Sequence, residues 1–165
     1  MSQRLVVTTL ALSLALLSST AKAQMPNPYG MPVSLDNARR AAAASVAEAR
    51  KNNWAMAVAV VDPAGVLVYY EKADGTQLAS AEVAIDKARS AAIYKRPTKA
   101  FQDALAAGGD GLRILGLRGA VPVEGGNPLI LDGKFVGAIG VSGGTSAQDN
   151  QVSKVGAEAL NPAPK

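Results

Sequence analysis

Apolar positions along this chain switch repeatedly between a helical spacing and short extended runs, and the switches delimit its elements. Leu35, Ala38, Ala42, Val46 and Ala49 recur at three and four residues, giving a helix over Leu35–Asn52 with one buried stripe. Ser34, followed by Asp36, supplies its N-cap. Two apolar runs follow, Ala55–Val61 and Val66–Tyr70, separated by Asp62-Pro63-Ala64-Gly65. Proline at the second position of that turn and glycine at the fourth predict an antiparallel hairpin. Ser80–Tyr94 returns to helical spacing, with Ala81, Ala84, Ile85, Ala88 and Ala92 on one side, and Pro97 closes it. Thr98 can cap a short helix over Thr98–Ala106, and the glycine-rich Ala107–Gly119 reads as a loop with a short turn.

Three extended runs come next: Ala120–Val123, Pro128–Leu131 and Lys134–Val141. Asp132-Gly133 joins the last two as a type I′ hairpin, because both residues tolerate positive φ. Gly137 and Gly140 interrupt the final run, which marks a bulge or a close approach by a ligand or another backbone. A last helix spans Ser146–Leu160. The order α-β-β-α-α-β-β-β-α predicts an α/β (α+β) fold, an antiparallel five-stranded sheet with helices covering its faces.

The first residues carry a different signal. Arg4 is a positive n-region, Leu5–Leu17 an apolar stretch of 13 residues, and Ala21-Lys22-Ala23 a cleavage site. A membrane-crossing helix needs about 20 apolar residues, so this is read as a signal peptide over residues 1–23, with no membrane span. The expected protein is periplasmic or secreted and begins at Gln24. No twin arginine precedes the apolar stretch, which favours the general secretion route. Residues 24–33, rich in proline, form an expected flexible arm, 34–160 a single domain, and 161–165 a flexible tail.

Composition narrows the chemistry. Removing Arg4 and Lys22 lowers the formal charge from +4 to +2, and no basic run is interleaved with aromatics, so no nucleic-acid partner is expected. The chain holds no cysteine, so stability must come from packing or from a homo-oligomer, with Ala41–Ala44 and Ala104–Ala107 as small-residue packing faces. It also holds no histidine, which excludes imidazole bases, Ser-His-Asp triads and zinc sites of nitrogen and sulfur. The side-chain donors left for a softer metal are Tyr69, Tyr70, Tyr94, Met31, Met56 or a lysine.

Two groups of residues can carry binding. Glu82 and Asp86, at i and i+4, share one helix face and can hold a hard cation such as Ca²⁺ or Fe³⁺, or form a solvated face paired with Lys87, Arg89 or Lys51. Gly125, Gly126, Ser142, Gly143 and Gly144 offer backbone N–H groups near a helix start, where an anionic small-molecule ligand can sit. Gln148 and Asp149 follow directly, although an acidic first turn also has a purely structural basis in the helix dipole. No GxxxxGK[ST] pattern occurs, so this is not a nucleotide P-loop.

Four motifs in order resemble the GlcG/HbpS-like family, haem-binding extracellular proteins also similar to the C-terminal domain of PduO-type corrinoid adenosyltransferases. They are Ala59-Val-Val-Asp-Pro-Ala-Gly-Val-Leu-Val68, Ala84-Ile-Asp-Lys-Ala-Arg-Ser-Ala91, Gly125-Gly-Asn-Pro-Leu-Ile130 and Val136-Gly-Ala-Ile-Gly-Val-Ser-Gly-Gly144. The resemblance covers nearly all of the chain beyond residue 23. It implies a profilin-like or PAS-like sheet, and haem or another tetrapyrrole as ligand. The ligand's carboxylates would meet Lys87, Arg89 or the 142–144 amides, and its apolar face Tyr94, Val123 or Ile139. Acidic residues on exposed helices are linked to iron in this family, and the resemblance suggests Glu82 and Asp86 for that role here. Where the family has an arginine before an Asp-Gly turn, this chain has Glu71-Lys72-Ala73, and the histidine of haem-binding relatives is missing. Adenosyltransferase activity is not implied, since it belongs to another domain. No catalytic residue is assigned; the competing expectation is an enzyme or accessory acting on a small organic acid, as in glycolate utilisation, through Lys87, Asp62, Asp149 or a tyrosine.

Overall fold

The computed structural model describes residues 27–160. The expected signal peptide, the start of the arm and the 161–165 tail lie outside them. In chain order the elements are α1 (Leu35–Lys51), β1 (Ala57–Val61), β2 (Leu67–Lys72), α2 (Ser80–Ile93), α3 (Thr98–Ala106), a 3₁₀ helix (Gly109–Gly116), β3 (Gly126–Leu131), β4 (Lys134–Ser142) and α4 (Ser146–Glu158). The strands form one antiparallel sheet in the order β2-β1-β4-β3. β1 is buried along its whole length because helices cover both faces.

One face packs Val58, Val60, Leu129, Ile139 and Val141 against Ala38, Ala41, Ala42 and Ala49 of α1 and Val152 of α4. The other packs Ala57, Ala59, Ala138 and Phe135 against Ala84, Ala88, Ala91 and Ala92 of α2. Alanine facing alanine lets α2 lie close on the sheet. At Gly140 the approach is closest: a Cβ there would collide with the Ala84 carbonyl and the Ala88 amide. The strand glycine therefore marks a close approach by backbone, not by a ligand.

Local chemistry accounts for the ends of several elements. Ser34 Oγ accepts the Asn37 N–H and caps α1. Asp62 Oδ1 accepts the Ala64 and Val66 N–H groups in the β1–β2 turn. Asp132 and Gly133 take φ of 50° and 72°, as the type I′ hairpin requires.

Three expectations change. The sheet has four strands among the described residues, because Ala120–Val123 does not join it. Pro122 lacks an N–H, and the Val121 N–H donates to Ser90 Oγ on α2 at 3.0 Å. Thr98 does not cap its own helix; its hydroxyl accepts the Gly126 N–H at 2.9 Å and ties α3 to β3. Residues 28–33, read as part of a flexible arm, run beside β4 where β1 has ended. There Phe135 N–H donates to the Pro28 carbonyl, Gly30 N–H to Phe135, and Val33 N–H to Val136, all at 2.8 Å. Tyr29 packs edge-on to Phe135, with the Lys95 ammonium 4.6 Å from the Tyr29 ring centre. Of the proposed packing faces, Ala41 and Ala42 are spent inside the core. No helix among the described residues is long and apolar enough to cross a membrane.

Candidate functional site

β4 ends at a buried ion pair. Lys87 Nζ, from α2, lies 2.7 Å from Asp149 Oδ2, from α4, and both side chains are almost fully buried. The same ammonium donates to the Val141 carbonyl at 3.2 Å. The other carboxylate oxygen accepts the Gly144 N–H at 3.0 Å, and the Gly143 N–H is also turned to this carboxylate. Gly125, at φ 122°, closes the remaining side. A Cβ there would stand 3.0 Å from Lys87 Nζ and 2.9 Å from Asp149 Cβ. Burial pushes the Asp149 carboxyl above its ordinary value, against the hydrogen bonds from Lys87, Gly144 and Gly143 that pull it down.

This knot gathers most of the predicted ligand residues and gives them a structural job. The loop amides that were to hold an anion are occupied by the chain's own carboxylate. Gln148 joins a capping box with Thr145: its side-chain oxygen accepts the Thr145 N–H at 2.9 Å. Ser142 Oγ donates to Ser80 Oγ at 3.3 Å, and the Gly126 N–H is bound to Thr98. Ile139, proposed as a ligand wall, is fully buried in the core. Lys87 and Asp149 line none of the three cavities described below.

The opposite end of β4 is open. Residues 30–34, the first turn of α1 and the β3–β4 hairpin enclose a recess of about 310 Å³. Val33, Leu131 and Val136 give it apolar walls, and Ser34, Asn37 and Lys134 give it polar ones. Met31 stands on its wall and is 83% exposed. The arm residues that form one side of this recess carry no local signal of order in the sequence, where Met31 is one donor among several.

A second cavity, of about 330 Å³, lies between the β1–β2 turn, α2 and the segment before β3. Arg89 lines it, so this predicted residue does face a cavity, together with Ile93 and Val121. Tyr94 does not line it: its hydroxyl donates to the Arg118 carbonyl at 2.8 Å and its ring packs edge-on to Phe101. A third void, of about 30 Å³, lies under Trp54 and Met56.

The proposed metal pair, Glu82 and Asp86, is exposed on α2. Asp86 Oδ1 is 3.9 Å from Arg89 Nη1. Among the described residues there is no group of three or more His, Cys, Asp or Glu side chains able to hold a metal ion.

Comparison with known proteins fixes the lineage. The sequence model for haem-degrading HbpS-like proteins matches residues 33–158. Protein GlcG of Escherichia coli (strain K12) is 38% identical over 100 residues, which covers 61% of this chain and 73% of GlcG. A crystal structure of a Streptomyces reticuli HbpS double mutant superposes with a TM-score of 0.72 at 30% identity, covering 80% of this chain and 89% of that one. A crystal structure of a PduOC–haem complex superposes with a TM-score of 0.70 at 26% identity, covering 79% and 96%. The chain belongs to the HbpS-like family.

Proposed function

We propose that this chain is an exported small-molecule-binding protein whose ligand is haem or a related tetrapyrrole, seated on the recess at the Lys134 end of β4. The observation that carries this reading is Met31. A solvent-exposed thioether beside an apolar wall is a ready soft donor for an iron porphyrin, in a chain without histidine or cysteine. Lys134 is placed to meet a propionate, and Val33, Leu131 and Val136 to cover the apolar edge of the ring. A bound haem would supply its own iron chemistry; these side chains bind and orient it. The haem bound to the PduOC relative supports the ligand class.

Export rests on Arg4, the Leu5–Leu17 stretch and the Ala21-Lys22-Ala23 site. Binding is favoured over catalysis because Lys87 and Asp149, a buried ionisable pair, are enclosed by protein and line none of the three cavities described.

Haemin titration followed by visible absorption tests the reading. Wild type should give a saturable Soret change at micromolar haemin, and Met31→Leu should shift or weaken it. Identical spectra and affinities for the two proteins would remove Met31 from the site, and no saturable change would remove the ligand.

A further inference from the structure

The Arg89 cavity sets opposite charges side by side on α2, with Ile93 one turn further along the same helix and Val121 from the segment before β3. Arg89 Nε donates to the Gly65 carbonyl at 3.3 Å, which fixes the guanidinium at the cavity edge. Its Nη1 lies 3.9 Å from Asp86 Oδ1, too far for a hydrogen bond, so the Nη donors and the Asp86 oxygens keep capacity for a ligand. Ile93 and Val121 supply the apolar side. Gly119 keeps the space open: at φ 77°, a Cβ there would come within 3.2 Å of Ile93 Cδ1.

We propose that this second cavity binds a free α-amino acid with an apolar side chain. The carboxylate would pair with the Arg89 guanidinium, the ammonium with the Asp86 carboxylate, and the side chain would rest on Ile93 and Val121. A zwitterion matches both charges. A simple carboxylate meets repulsion from Asp86, and a simple amine meets repulsion from Arg89, so neither half of the ligand should bind well alone. Arginine suits the carboxylate because its planar fork can donate two parallel hydrogen bonds. This site is separate from the Met31 recess and does not depend on tetrapyrrole binding.

Calorimetric titration of the full chain with L-leucine, isovalerate and isopentylamine distinguishes the possibilities. The expected result is saturable L-leucine binding at least about tenfold tighter than either single-charge analogue. Arg89→Ala and Asp86→Asn should each weaken leucine about tenfold or more. Both positions are exposed on α2, so the variants should fold, and both should leave the haemin spectrum unchanged. Isovalerate binding as tightly as leucine would overturn the zwitterion assignment. Absence of saturable leucine binding at millimolar concentration, or full binding by either variant, would overturn the site.

Discussion

The two ends of β4 hold the same kinds of residue and do opposite things with them. At the Ser142 end, a lysine, a carboxylate and glycine amides satisfy one another and shut out solvent. At the Lys134 end, a lysine, a carboxylate and an apolar wall face an open recess. The eight steps from Lys134 to Ser142 span roughly 27 Å at about 3.4 Å each, which keeps the two ends apart. The difference is closure. A charged group with its partner inside the protein organises the fold, and one left facing a cavity is available to a ligand.

The largest effect should come from opening the closed end. Lys87→Met leaves the Asp149 carboxylate buried without its ammonium, and should cost about 3–5 kcal/mol in urea unfolding at neutral pH. Lys87→Met with Asp149→Leu should recover most of that loss, because a buried pair replaced by apolar side chains is often neutral. The same pair sets a pH dependence. With the Asp149 carboxyl raised by burial, its contribution to stability is complete below its ordinary value near 3.8. That contribution is lost as pH rises through the raised folded value, since the folded state there binds more protons than the unfolded one. The decline should steepen in Lys87→Met, which loses the ammonium that holds the carboxyl down. A deficit independent of pH would show that Asp149 is not the group concerned.

Smaller effects should follow away from the pair. Gly140→Ala drives a methyl group into the α2 backbone and should lower stability by about 1–3 kcal/mol, read from the urea midpoint. Thr145→Ala removes the cap of α4 and should cost about 1 kcal/mol. Met31→Leu should change stability by no more than about 0.5 kcal/mol, since the side chain is exposed, yet should alter haemin binding. That separation of stability from binding is what distinguishes the open end from the closed one.

Much of the fold was legible because it rests on local signals. Ser34, Asp62, Pro97 and Asp132-Gly133 each state a cap or turn within a few residues, and the two helical stripes state their buried faces. The lost fifth strand was also local in part, since Pro122 cannot donate a ladder hydrogen bond, but its anchor on Ser90 is a long-range contact. The site was harder to read. Glycines 125, 126, 143 and 144 look alike whether they wait for a ligand or make room for Lys87 and Asp149. Those two side chains stand 62 residues apart, so their pairing has no local signature. Met31 carried the reverse problem: its segment looked unattached until Phe135 and Val136 gave it hydrogen-bond partners more than 100 positions away.

The most direct measurement is a ¹⁵N–¹H correlation spectrum of the full chain during titration with haemin, whose paramagnetic iron broadens nearby amides. Amides of Gly30, Met31, Val33, Asn37 and Asp132–Val136 should broaden first, while Gly143, Gly144 and Asp149 stay sharp. Early loss of the Gly143–Asp149 amides, with the Met31 recess unaffected, would contradict the assignment of the open end as the ligand site.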